Sequence, residues 1–205
     1  MPVFLLIRHG ENDYVRKGRL PGRMPGVHLN ERGRAQALAL AEKLKDAPVK
    51  TVYSSPLERA RETAQPIADV LNLPVILREG LTETDVGEWQ GRSLKNLRRL
   101  KVWRGVQYTP SQFRFPGGEG FADAQERIRG EIEALRAQHD PKDMIVCVTH
   151  ADPIKLAVAF YIGLPLDLFQ RLYVSPASIT ALMISEHGSG LLNLNYDISL
   201  NFSKR

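Results

Sequence analysis

Val3-Phe4-Leu5-Leu6-Ile7-Arg8-His9-Gly10-Glu11 is the stretch on which the fold turns. Its five consecutive apolar residues read as a strand covered on both faces, as in a parallel sheet. An arginine, a histidine and a glycine follow at once, which puts a charged pair at the end of a core strand. Glycine there permits a tight turn and lets a ligand approach the backbone. Two more segments repeat the pattern. Met144-Ile145-Val146-Cys147-Val148-Thr149 is an apolar run followed by His150. Thr51-Val52-Tyr53 ends in Ser54-Ser55-Pro56 and a helix that carries Arg59. Ligands of open α/β sheets bind beyond the carboxyl ends of the strands. If these three strands are neighbours, Arg8, His9, Arg59 and His150 converge on one region.

The 205-residue length suits a single domain, 1–205, with a sizeable core. A net charge of +5 suits a small anionic substrate and does not call for nucleic acid. Arginines gather at 8–23, 92–104 and 127–136, mostly as solvated faces. The single Cys147 lies in an apolar run and reads as a small core residue, which excludes an intrachain disulfide and points to the cytoplasm. No stretch is long enough to span a membrane, and the first apolar run is too short for a signal-peptide core.

Outward from the first strand, residues 13–29 form a basic loop rich in Gly and Pro. Asn30 reads as the N-cap of a helix whose inner face is Ala37, Leu40, Ala41 and Leu44. Ser55-Pro56-Leu57-Glu58 reads as a capping box with Pro at the first helical position. A short strand is expected at 75–77. Residues 80–120 read as an insertion over the site, with one helix near 93–104; its Trp89, Trp103, Phe113 and Phe115 either line a pocket or pack the insertion on the core. Helices are expected at 121–138 and 153–162, the second capped by Asp152 with its charge turned away from the site. Strands at 178–185 and 191–195 close the chain, with Gly188-Ser189-Gly190 turning between them. The predicted fold is therefore α/β, a three-layer α/β/α sandwich with a mostly parallel central sheet.

Five segments, in order, resemble the histidine phosphatase superfamily in its phosphoglycerate mutase-like branch. They are Arg8-His9-Gly10-Glu11; Ser54-Ser55-Pro56-Leu57-Glu58-Arg59-Ala60-Arg61-Glu62-Thr63-Ala64; Leu81-Thr82-Glu83 with Gly87-Glu88-Trp89-Gln90-Gly91; Pro116-Gly117-Gly118-Glu119; and Val148-Thr149-His150. The resemblance implies that His9 is a nucleophile that takes a phosphoryl group and that Arg8 and Arg59 fork onto phosphate oxygens. It implies that a protonated His150 is a further donor and that Glu83 is the general acid, later the base. Asp85 and Glu88 are the neighbouring alternatives to Glu83. Phosphate and substrate contacts are assigned to Arg8, Asn12, Arg59, His150, Ala151, Arg16 and Arg19. Arg61 falls on another side of its helix, and His28, His139 and His187 read as surface residues.

The chain departs from the family pattern in four places. Asn12 stands where Thr or Ser is usual, and it can still donate a hydrogen bond. Val15 stands where many members have Asn, leaving Arg16 or Lys17 to supply that contact. Ala151-Asp152-Pro153 follows His150 where Gly is usual, and Gly120 replaces a common Ser. Neither a metal nor another cofactor is implied, because no Cys/His or carboxylate cluster has ligand spacing. The expected activity is metal-independent hydrolysis of a small phosphorylated anionic substrate through phosphohistidine. A phosphomutase of the same fold and a non-catalytic phospho-ligand-binding protein are the alternatives. A monomer or homodimer without nucleic-acid or membrane partners is expected.

Overall fold

A computed structural model describes residues 1–197. The chain runs β1 (Val3–Arg8), α1 (Asp13–Arg16), α2 (Glu31–Leu44), β2 (Val49–Ser54), α3 (Glu58–Leu71) and β3 (Val75–Leu77). It continues through α4 (Leu94–Leu97), α5 (Trp103–Tyr108), α6 (Phe121–Arg136), β4 (Met144–Thr149), α7 (Ala151–Tyr161), β5 (Ile179–Ser185) and β6 (Gly188–Tyr196). The six strands make one sheet in the order β3-β2-β4-β1-β5-β6. The first four of these are parallel neighbours, and β5 and β6 add on antiparallel. Thus β2, β4 and β1 lie side by side at the centre and point the same way, so their carboxyl ends meet.

Alternation along each strand builds two cores. Leu5 and Ile7 of β1, Val52 of β2, and Val146 and Val148 of β4 face α2 and α3. Phe4, Leu6, Tyr53, Ile145 and Cys147 face α6 and α7. This is the expected three-layer sandwich. Each fully buried Leu, Ile or Phe in it contributes about 1.5–3 kcal/mol. The α2 N-terminus is pressed on the turn after β1. A Cβ on Gly10 would meet Gly33 O at 2.6 Å, and one on Gly33 would meet Glu11 O at 2.0 Å. Asn30 caps α2 as expected, accepting from Gly33 N at 2.9 Å.

Several local expectations are corrected. The basic loop holds a short helix, α1, whose N-cap is Asn12. The helix expected at 93–104 is two shorter ones, α4 and α5. Helix α3 starts at Glu58 with Leu57 as an uncapped N-cap position, so Ser55-Pro56 stands outside it. Ser55 is drawn away by His150, and Glu58 by Gly26 N at 3.0 Å. Helix α7 starts at Ala151, with His150 rather than Asp152 in the N-cap position. Gly188–Gly190 lie within β6, not in a turn. His139 is tucked in rather than exposed, between Tyr53 Oη and Asp143 at 3.0 Å each.

The 80–120 segment sits on the α6/α7 side. Trp89 stacks on Trp103 at 5.9 Å and meets Phe115 edge-on at 5.4 Å, so these aromatics pack the insertion on the core. Backbone bonds Leu20 N to Arg92 O (3.0 Å), Gly91 N to Leu20 O (2.6 Å) and Leu94 N to Gly18 O (2.8 Å) stitch it to the basic loop. Among the described residues no helix is long and apolar enough to cross a membrane.

Candidate active site

The central strands deliver their side chains by extending the ladder one residue past each end. His9 N donates to Thr149 O at 2.9 Å, and Ser55 N donates to Val148 O at 2.9 Å. Ala177, in the left-handed region at φ 57°, closes the other flank by donating to Arg8 O at 3.0 Å. Gly10 N is tied to α3 through Thr63 Oγ1 at 3.0 Å. These bonds bring together four of the predicted residues, Arg8, His9, Arg59 and His150. His9 and Arg59 are 2 % and 0 % exposed, which removes water from the reacting group.

Hydrogen bonding sets both imidazole tautomers. His9 Nδ1 lies 2.7 Å from Gly10 O. A carbonyl can only accept, so Nδ1 carries the proton and Nε2 keeps its lone pair. Arg59 Nε donates to that Nε2 at 3.3 Å. His150 Nδ1 accepts from Arg59 Nη2 at 3.3 Å, which leaves Nε2–H to donate to Ser55 Oγ at 2.8 Å. Burial, then the charges of Arg59 and Arg8, hold the His9 pKa well below its ordinary value. Burial and the same arginines, with His9, do so for His150. His150 is therefore neutral here, with its one N–H spent on Ser55, whereas the sequence reading has it protonated. Burial brings the Arg59 pKa down to about 10, so Arg59 stays charged at neutral pH.

Three buried donors in this region have no protein acceptor: Arg8 Nε, Asn12 Nδ2 and Arg59 Nη1. Asn12 Oδ1 is spent on capping α1 at Val15 N, 2.9 Å away. Its amide is therefore the free end, in keeping with the donor role expected of it. Buried donors are costly unless satisfied, and an anion with several oxygens satisfies all three. Arg59 is the second residue of α3, where the helix dipole also favours negative charge.

Glu83 stands 3.9 Å from His150 Nδ1, with its side chain 16 % exposed. Burial first, then the charge of Asp152, pushes its pKa up to about 7, against the pull of Arg59 and Arg8. Asp152, paired with Lys155 at 3.1 Å, is thus felt at the site rather than turned away from it. A carboxyl poised near neutrality can both give and take a proton. Asp85 is occupied with Gly87 N at 2.9 Å.

Two assigned residues are not drawn into the cluster. Arg16 forks onto Asp13 at 3.1–3.2 Å, and Arg19 donates to Gly91 O at 2.9 Å; both are exposed. Ala151 opens α7 beside His150. The sequence reading missed Gly22, whose carbonyl takes Arg59 Nη2 at 2.7 Å, and Ser55, which orients His150. It also missed Val174, whose carbonyl holds Arg8 Nη1 at 2.7 Å, and Arg23, which holds the Glu83 backbone.

Comparison with known proteins agrees with this geometry. The profile of the histidine phosphatase superfamily (branch 1) matches residues 4–197. Phosphoserine phosphatase 1 of Hydrogenobacter thermophilus is 31% identical over 95% of this chain and 92% of its own length. The 2,3-bisphosphoglycerate-dependent phosphoglycerate mutase of Thermoplasma acidophilum is 32% identical over 89% of this chain and 87% of its own. Among solved structures, mycobacterial glucosyl-3-phosphoglycerate phosphatase in complex with VO3 superposes with a TM-score of 0.87 at 28% identity. That match covers 95% of this chain and 99% of the other.

Proposed function

The chain belongs to the histidine phosphatase superfamily, and from that premise we propose a metal-independent phosphomonoesterase working through a phosphohistidine at His9. Its reaction class is phosphoric monoester hydrolysis. The observation that carries the mechanism is the His9 tautomer. With its proton locked on Nδ1 by Gly10 O, the ring presents an unprotonated Nε2 beside Arg59.

Nε2 attacks the phosphorus, and the P–O bond to the alcohol breaks. Glu83 gives its proton to the departing oxygen. Glu83, now ionised, takes a proton from a water that attacks the phosphorus as the P–N bond breaks and returns its electron pair to Nε2. Inorganic phosphate leaves, and both groups return to their starting forms. Arg8, Arg59 and Asn12 hold the phosphoryl oxygens through both steps, and a bound anion, by favouring a proton on His150 Nδ1, adds His150 to them. The positive charge that a metal would otherwise supply comes from the two arginines. Among the described residues no group of three or more His, Cys, Asp or Glu side chains is placed to hold a metal ion.

The substrate we infer is a small phosphorylated metabolite with a further anionic group. Arg92, Lys95, Arg98, Arg99, Lys101 and Arg104 are exposed on the segment stitched to the basic loop, which supports that class. The lone, buried Cys147 supports a cytoplasmic setting. The relative named a mutase supports a second reading, phosphoryl return to a bound intermediate instead of to water.

A radioactive phosphoester should leave an acid-labile, base-stable label on the wild type and none on His9→Ala; label that persists in the variant overturns the assignment. A panel of phosphorylated metabolites with EDTA present should release inorganic phosphate. Isomerised ester in its place would establish the mutase, and turnover that stops on chelation and returns with a divalent ion would end the metal-free mechanism.

A further inference from the structure

We propose that Glu119 is a positioning residue for the proton-transfer step, acting through Arg23 and Arg127 on the backbone of Glu83. The inference rests on Glu83 being the acid. Glu83 follows a short 3-10 turn and precedes another, so no strand or α-helix holds its main chain. Side chains hold it instead. Arg23 Nε donates to Glu83 O at 2.7 Å. Arg127 Nη1 donates to Gly80 O at 2.9 Å and to Thr82 O at 2.8 Å, and its Nη2 reaches Glu83 O at 3.5 Å.

One carboxylate organises both guanidinium groups. Glu119 Oε2 takes Arg23 Nη2 at 3.1 Å, and its Oε1 takes Arg127 Nη2 at 2.6 Å and Asp85 N at 3.1 Å. The Glu119 side chain is 17 % exposed, so these bonds lie in a partly dry setting where they are stiff. The two glycines before it explain how it gets there. A Cβ on Gly118 would meet Asp85 O at 2.3 Å, so only glycine lets this turn lie flat on the segment carrying the acid. Glu119 N then donates to Asp85 O at 3.0 Å. Three remote pieces of chain, at 23, 119 and 127, thereby fix one loop carbonyl.

The charges that act most on the Glu83 pKa are those of Asp152, Arg59 and Arg8. Glu119 and its arginines act on where the carboxyl sits. A misplacement near 1 Å costs on the order of 10²-fold in a positioned reaction. The test compares an alkyl phosphate with p-nitrophenyl phosphate, whose leaving oxygen needs little protonation. Glu119→Ala should lower kcat on the alkyl ester by roughly 10–100-fold and on the nitrophenyl ester by only about threefold. In a Glu83→Gln background the same change should cost less than about threefold on the alkyl ester, because there is no acid left to place. Arg23→Lys keeps the charge and removes the Nε donor; it should show the same bias at smaller size, and it serves if Glu119→Ala does not fold. Equal losses on both esters, or full additivity with Glu83→Gln, overturn the proposal. A Glu83→Gln single variant with no leaving-group bias overturns the acid reading itself, and this inference with it.

Discussion

The two sides of the catalytic cluster are held by different physics. On one side, His9 and His150 sit one residue beyond adjacent parallel strands; the His9 backbone continues the hydrogen-bonded ladder and that of His150 opens α7. On the other, Glu83 sits in a loop, and its main chain is held by arginines from two distant segments. Ladder bonds come with the sheet and cost no side-chain ordering. A side-chain clamp must order two long guanidinium groups, which costs entropy. The nucleophile thus inherits the rigidity of the core, while the acid depends on a polar network that single substitutions can loosen.

Breaking the strand-end side should have the largest effect. His9→Ala removes the atom that forms the covalent bond, and activity should fall on the order of 10⁵-fold on every ester, the scale of nucleophile loss in other covalent enzymes. Steady-state rates on good and poor leaving groups check this; a variant that keeps a tenth of wild-type activity would move the nucleophile elsewhere. Breaking the loop side should be smaller and selective. Glu83→Gln keeps the shape and removes the proton donor, so alkyl esters should slow by about 10²–10⁴-fold with far less change on p-nitrophenyl phosphate. If that selectivity appears instead in Asp85→Asn or Glu88→Gln, the acid is one of those.

The same contrast governs how much could be read beforehand. Apolar runs at 3–7 and 144–148 announce buried strands, and a His straight after such a run can only project from the sheet's edge. The fold class and the strand-end residues Arg8, His9 and His150 follow from that, whereas the adjacency of the strands, on which their convergence with Arg59 depends, comes from the structure. The clamp on Glu83 leaves no periodic trace, because Arg23, Glu119 and Arg127 come together only in three dimensions. Its one local sign is Gly117-Gly118, a glycine pair before a charged residue, which signals close backbone approach. Helix starts were misjudged for a related reason. Ser55 and Asp152 are good capping residues, but Ser55 serves His150 and Asp152 serves Lys155. The first is a tertiary partner that overrides local propensity, the second a neighbour one turn along α7.

Stability against pH separates the two sides without touching catalysis. The buried histidines have folded pKa values below the unfolded value near 6.5. The unfolded chain therefore binds protons first, and this contribution, complete above about 6.5, is lost as pH falls below it. Glu83 has the opposite sign: raised to about 7 when folded, it binds its proton more tightly in the native state, so its contribution is present below about 4.5 and lost as pH rises through 7. Between about 6.5 and 4.5, two protons taken up by the unfolded chain oppose one held by Glu83. From these three groups stability should fall as pH falls through that range, the two histidines outweighing Glu83. Urea titrations at several pH values measure the slope, which His9→Asn should flatten. An unchanged slope in that variant would mean that His9 is not held neutral by burial.

The smallest effect should come from Asp152, which links the two sides by charge alone. It stands at the start of α7, just after His150, and its field is the second largest cause of the raised Glu83 pKa, after burial. Asp152→Asn removes that field and keeps the shape, so the ionised form of Glu83 becomes easier to reach and its pKa falls from about 7 toward the ordinary carboxylate range. The acid must be protonated to serve the leaving group. The alkaline limb of the kcat profile for an alkyl phosphate should therefore move to lower pH, with a few-fold loss at pH 7.5 and little change at pH 5.5. p-Nitrophenyl phosphate, which does not need the proton, should show no such displacement. Lys155 loses one partner in this variant but still donates to Gln170 Oε1 at 2.9 Å. A limb that stays in place would mean that burial alone sets the Glu83 pKa, and that the residue after Ala151 is free to vary without consequence for proton transfer.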